Sequence, residues 1–153
     1  MLSLLLPLLL AQAAAAPASA PVLACDKPAA LPAAFAGWRS PGRVPAIGKA
    51  FLVEARDPAT VRGLAVTAVS RPGRAALVPI EIATAGTYRV ALSEGAWVDM
   101  VQSGTPLPSV AHGHGPRCSG IHKIVDFRLA PGRYALQLSA MQTPQVRVLI
   151  ARG

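Results

Sequence analysis

The sequence predicts an all-β domain: an antiparallel β-sandwich, jelly-roll-like, with about eight or nine short strands behind an N-terminal signal peptide. Apolar and polar residues alternate with period two through most of the C-terminal half. Turn formers punctuate those runs, 13 Gly and 15 Pro across 153 residues. No segment sustains the apolar stripe of an amphipathic helix, so little helix is expected.

Residues 1–20 read as the export signal. In "MLSLLLPLLLAQAAAAPASAP" the leucine run over residues 2–10 is a short apolar core, followed by small residues that suit a signal peptidase. Cleavage fits after Ala13 or after Ala20, with Pro21 disfavouring the second site. A membrane span needs about 20 apolar residues, and Pro7, Gln12 and Pro17 interrupt this stretch. The mature chain is therefore expected to lack a transmembrane segment and to be periplasmic or secreted. A rival reading takes "VLAC", residues 22–25, as a lipobox that lipid-anchors Cys25 to the envelope.

Residues 21–48 are rich in Pro and Ala and show no period. They read as an ordered N-terminal arm, with Phe35 and Trp38 anchoring it onto the core. The β-sandwich domain is assigned to residues 49–153. Its first candidate strands are "KAFLVEA", "LAVTAVS" and "AALVPIEIA". In "TYRVALS", Tyr88, Val90 and Leu92 share one face, and Thr87, Arg89, Ala91 and Ser93 the other. In "IHKIVDFRLA", Ile121, Val125, Phe127 and Leu129 point inward, while His122, Asp126 and Arg128 point to solvent. "RYALQLSA" turns Tyr134, Leu136 and Leu138 inward, and "QVRVLIA" does so with Val146, Val148 and Ile150.

One plan occurs twice. "IEIATAGTYRVAL" and "VDFRLAPGRYALQL" each run strand, small turn with Gly86 or Gly132, then Tyr88 or Tyr134 opening the next strand. Each tyrosine can pack its ring inward and hydrogen-bond its hydroxyl at the edge of a sheet, which reads as a pair of hairpin corners.

With export, the two cysteines predict one disulfide, Cys25–Cys118, joining the arm to the loop that carries the histidines. Chain entropy puts its contribution at about 4 kcal/mol. The pairing also takes Cys118 away from metal or nucleophilic duty. The chain is basic, with 15 Lys+Arg against 7 Asp+Glu and a net charge of +8. Codon bias in a GC-rich genome accounts for abundant Arg, Ala and Pro. The functional reading is attraction to an anionic envelope component or a small anionic molecule. The arginines are scattered and aromatics are few, so nucleic acid is not an expected partner.

"SVAHGHGPRCSGIHK" holds all 3 histidines. His112 and His114, two apart, would share a face on a strand, and with His122 they form a candidate metal set for iron or copper. Glu94, Asp99 or Asp126 are candidate carboxylates beside them. The competing reading is a mobile loop: Gly113, Gly115 and Pro116 offer nothing to orient the imidazoles, and Arg117 is displayed with them as a ligand contact. No Gly-x-Ser-x-Gly elbow is present, so Ser109 and Ser119 read as loop serines. Glu94 and Asp99 lack the clustered aromatics of a glycosidase cleft. Trp97 reads as core or sandwich rim rather than a sugar platform. No catalytic residue is assigned.

Two resemblances add to this. "AGTYRVALSEGAWVDMVQSG" with "VDFRLAPGRYALQLSA" resembles the bacterial pre-peptidase C-terminal domain, a secreted β-sandwich appended to exported enzymes. The likeness spans residues 80–150 and implies an accessory role. The order of signal, Cys-Asp, "GTYRVAL", "AWVD" and "HGHG" also resembles a small exported alphaproteobacterial family whose members are often named homogentisate 1,2-dioxygenase. That name implies iron held by two histidines and a glutamate. Here the glutamate position of a cupin metal motif falls on Cys118 or Ser119, so its ligands do not carry over residue by residue.

The expected function is an exported, non-enzymatic binding or accessory protein with one disulfide and no cofactor. The alternatives are a metal-dependent dioxygenase using His112, His114 and His122, and an envelope protein lipidated at Cys25.

Overall fold

A computed structural model describes residues 24–153; the expected signal peptide lies outside the described residues, as do Val22 and Leu23 of the lipobox. Nine strands are present among the described residues. One sheet contains β1 (Ala50–Glu54), β9 (Gln145–Arg152), β3 (Gly86–Leu92), β7 (Lys123–Leu129) and β6 (Ala111–Gly113), in that spatial order. The other contains β2 (Arg74–Ile82), β8 (Gly132–Met141), β4 (Trp97–Gln102) and β5 (Thr105–Leu107). Every paired strand is antiparallel. The fold is the β-sandwich that the alternation predicts.

The alternation decides what lies between the sheets. Tyr88, Val90 and Leu92 of β3 meet Val125, Phe127 and Leu129 of β7 and Val146, Val148 and Ile150 of β9. Ile80, Ile82, Val98, Met100, Leu136 and Leu138 face them from the second sheet. Burial of each large apolar side chain stabilises by about 1.5–3 kcal/mol.

The five-stranded sheet has a second buried face. Residues Ala33–Arg39 form a 3₁₀ segment that packs Phe35 and Trp38, 1% and 0% exposed, onto Ala50, Ala91, Leu149 and Ala151. A strand buried on both faces reads as a continuous apolar run, which explains "VLIA" in β9. The arm lies so close that a Cβ on Gly37 would stand 2.6 Å from the Gly48 carbonyl oxygen.

Three expectations are corrected. "LAVTAVS" is not a strand: Val66–Val69 is a short helical turn. It lies over the outer face of the second sheet, where the Ala65 N–H donates to Gln137 Oε1 at 2.7 Å. Ala68 is buried there while Val66 and Val69 remain exposed. Ile121 does not join Val125 between the sheets but packs under the arm with Ile124. Ile121 precedes β7, which begins at Lys123, so the strand's alternation does not extend to it.

The third correction concerns the two tyrosine turns. They are not hairpins, because β2 to β3 and β7 to β8 each cross from one sheet to the other. Tyr88 Oη donates to the Thr84 carbonyl at 2.7 Å, and Tyr134 Oη to the Ala130 carbonyl at 2.9 Å. Each hydroxyl thus ties its ring to the backbone four residues upstream, closing the arch. Tyr88→Phe and Tyr134→Phe are each expected to lower unfolding free energy by about 0.5–1.5 kcal/mol in urea; unchanged midpoints would show that the arches hold by turn geometry alone.

Candidate functional site

The histidine stretch runs from β6 into β7, and the arm fixes its position. Cys25 and Cys118 form a disulfide, their Cα atoms 5.5 Å apart across 93 residues of sequence. The Ala29 N–H adds a hydrogen bond to the Cys118 carbonyl at 3.0 Å, and Arg39 Nη2 donates to the Ala29 carbonyl. These ties hold Cys118 at φ +62°, a conformation uncommon for a residue with a Cβ. The disulfide uses the sulfur that lipidation of Cys25 would require.

The segment is built rather than loose. A Cβ on Gly115 would lie 2.4 Å from Ile121 Cβ, so only glycine allows this approach. Buried Ser119 accepts a hydrogen bond from the Ile121 N–H at 3.0 Å. His114 Nδ1 lies 3.0 Å from the His122 carbonyl oxygen. Since a carbonyl only accepts, Nδ1 carries the proton there, and Nε2 is the free nitrogen of the neutral ring.

The three histidines divide. His114 and His122 stand edge-on with ring centroids 5.9 Å apart. His112 is on the exposed edge strand β6, in register with Val125, and lines a different cleft. Among the described residues no group of three or more His, Cys, Asp and Glu is arranged to hold a metal ion. The candidate carboxylates have other partners: Asp126 pairs with Arg89 at 3.3 Å, and Glu94 Oε2 accepts from Thr143 Oγ1 at 2.8 Å. The structure brings His114 and His122 together and sets His112 at a different cleft. Arg117 lines a shallow depression over the disulfide with Asp26 and Lys27.

The cleft that His112 faces is about 190 Å³ and opens at one edge of the sandwich, between β4 of one sheet and β6–β7 of the other. Val98 and Val125 line it together with Trp97, Ser109, His112 and Lys123. Trp97 is 49% exposed, at the rim. Its Nε1 donates to Asp99 Oδ1 at 3.1 Å, and Asp99 Oδ2 accepts from Gln137 Nε2 at 2.9 Å. The Arg71 guanidinium stacks 4.3 Å from the indole centroid and lies 3.7 Å from Asp99 Oδ2. Lys123 Nζ is 5.6 Å from the same centroid and donates to the Ala96 carbonyl at 3.1 Å, leaving further N–H donors. Burial lowers the Lys123 pKa below the ordinary lysine value, with the Asp99 charge acting against that shift.

Sequence reasoning singled out Trp97 and Asp99 separately and missed their joint site. Their spacing in "AWVDM" puts both on one face of β4. Arg71 and Lys123 arrive from distant segments, so no local pattern announces them. The chemistry available here is recognition: a cation, an apolar ring and a hydroxyl, with the neighbouring Asp99 carboxylate already engaged.

No protein-family model, curated protein or solved structure matches the chain.

Gly115→Ala is expected to cost about 1–3 kcal/mol in urea unfolding through overpacking against Ile121. Gly113→Ala, with nothing within 4 Å of its Cβ, is expected to change stability by less than about 0.5 kcal/mol. Equal effects at the two positions would remove close packing as the reason the loop is ordered.

Proposed function

We propose that the protein is an exported, non-enzymatic binding module that takes a small anionic ligand in the Trp97 cleft. The observation that carries this reading is the half-exposed indole of Trp97 with the Lys123 ammonium beside it. An acidic sugar suits the cleft: its apolar C–H face lies on the indole, its carboxylate meets Lys123, and its hydroxyls reach Ser109 and His112. The disulfide suits an oxidising compartment, which supports periplasmic or secreted placement.

Fluorescence tests this directly, because the second tryptophan, Trp38, is fully buried and reports the fold. Titration with galacturonate oligomers is expected to shift the emission of Trp97, while neutral galactose oligomers leave it unchanged. Lys123→Gln is expected to weaken binding more than about tenfold, the loss of a charge-assisted hydrogen bond. Binding weakens as pH rises through the lowered Lys123 pKa, because the anion needs the protonated ammonium. An equal response to neutral and acidic oligomers would overturn the assignment.

The alternative is the metal-dependent oxygenase that the family name implies, and its support is the His114–His122 contact, which places two imidazoles together. Elemental analysis of untagged protein discriminates the two. About one iron or copper per chain favours the oxygenase; protein without metal after supplementation favours the binding module.

A further inference from the structure

The opposite edge of the sandwich carries a second, larger cleft of different chemistry. There β1 ends one sheet and β2 ends the other. The two edges are joined by the isolated bridge Arg56–Ala75, with N–H to O distances of 2.9 and 2.8 Å. Beside that bridge a cleft of about 520 Å³ opens, within the range of roughly 300–1,000 Å³ typical of small-molecule sites.

Its floor is the protein core itself. Phe51 and Val53 of β1 and Ala76 of β2 line the cleft and belong to the cluster between the sheets, with Val78 packed against that cluster. Leu52, 36% exposed, and Val61 extend the apolar lining outward. At the rim stand Arg56 and Arg62. Among the described residues neither guanidinium makes a side-chain hydrogen bond or ion pair, and Glu54 Oε1 is engaged by Gln145 Nε2 at 3.2 Å.

We infer that this cleft binds a single-chain anionic amphiphile of the fatty-acid type, the acyl chain against Phe51, Val53, Ala76 and Val78 and the carboxylate between Arg56 and Arg62. Positive charge at the mouth complements a carboxylate, and the apolar floor complements an acyl chain. A second copy of this chain would bring the same two arginines to the contact, like charge against like. This site is separate from the Trp97 cleft and stands whether or not that cleft binds acidic sugars.

Calorimetric titration of the purified protein with octanoate, decanoate and dodecanoate, below their aggregation concentrations, tests it. Affinity is expected to rise about three- to fourfold per methylene as apolar surface is buried. Decanoate is expected to bind more than about tenfold tighter than decanol. The double variant Arg56→Gln, Arg62→Gln is expected to lose that preference with an unchanged melting temperature, both side chains being exposed. Lys123→Gln is expected to leave decanoate binding unaltered. Affinity independent of chain length, equal binding of alcohol and acid, or loss of decanoate binding in Lys123→Gln would overturn the inference. So would sedimentation showing that the protein self-associates through Leu52 and excludes the acid.

Discussion

Burial of Phe35 and Trp38 on the outer face of the five-stranded sheet is the interaction on which the rest of this structure depends. The inner strands β3 and β9 carry apolar residues on both faces. Without the arm, Ala91, Leu149 and Ala151 would meet water, and Ile121 and Ile124 would lose their cover. The arm's own helical segment has no side-chain cap and is too short to persist alone. Packing and covalent attachment hold it. The Cys25–Cys118 disulfide shortens the search of the unfolded arm for its site and fixes the start of the loop that leads into β7. One constraint therefore shapes the cover of the sheet, the conformation of the histidine loop and the placement of Lys123.

The two long edges of the sandwich have been finished differently. At one, β6 is three exposed residues long, short enough to discourage pairing with another chain. Beside it the Trp97 cleft is lined by a cation, an imidazole and a hydroxyl over a small apolar floor. At the other, the bridge Arg56–Ala75 closes one corner and leaves an apolar cleft that reaches the core. Basic residues stand at both edges, Lys123 and Arg71 at the first and Arg56 and Arg62 at the second.

Much of the fold could be read from the sequence, because burial between two sheets leaves a period-two trace. Tyr88, Val90 and Leu92, or Val146, Val148 and Ile150, are where alternation puts them. The anchoring role of Phe35 and Trp38 was also readable, since large aromatics stand out in a Pro/Ala-rich segment. "LAVTAVS" misled because β-branched residues resemble a strand wherever they occur, and no partner strand is there to pair with it. Tertiary position decided its state, with the Gln137 amide receiving its backbone N–H. The tyrosine turns were recognised as corners, yet alternation within a strand does not say whether the next strand joins the same sheet. The Trp97 site stayed hidden for a similar reason. Arg71, Trp97 and Lys123 belong to three separate segments, and sequence order holds no record of their meeting. The histidines were conspicuous in sequence, but the close approach of Gly115 to Ile121 and the separate direction of His112 are properties of packing.

The central claim is that a covalently closed arm completes the five-stranded sheet, and thermal unfolding with and without reductant tests it most directly. Closing a loop of this length is worth about 4–5 kcal/mol of chain entropy. Reduction is therefore predicted to lower the melting temperature by about 10 °C or more, with near-ultraviolet circular dichroism showing that Trp38 loses its fixed surroundings first. An unchanged melting temperature, with two free thiols counted after reduction, would contradict the account.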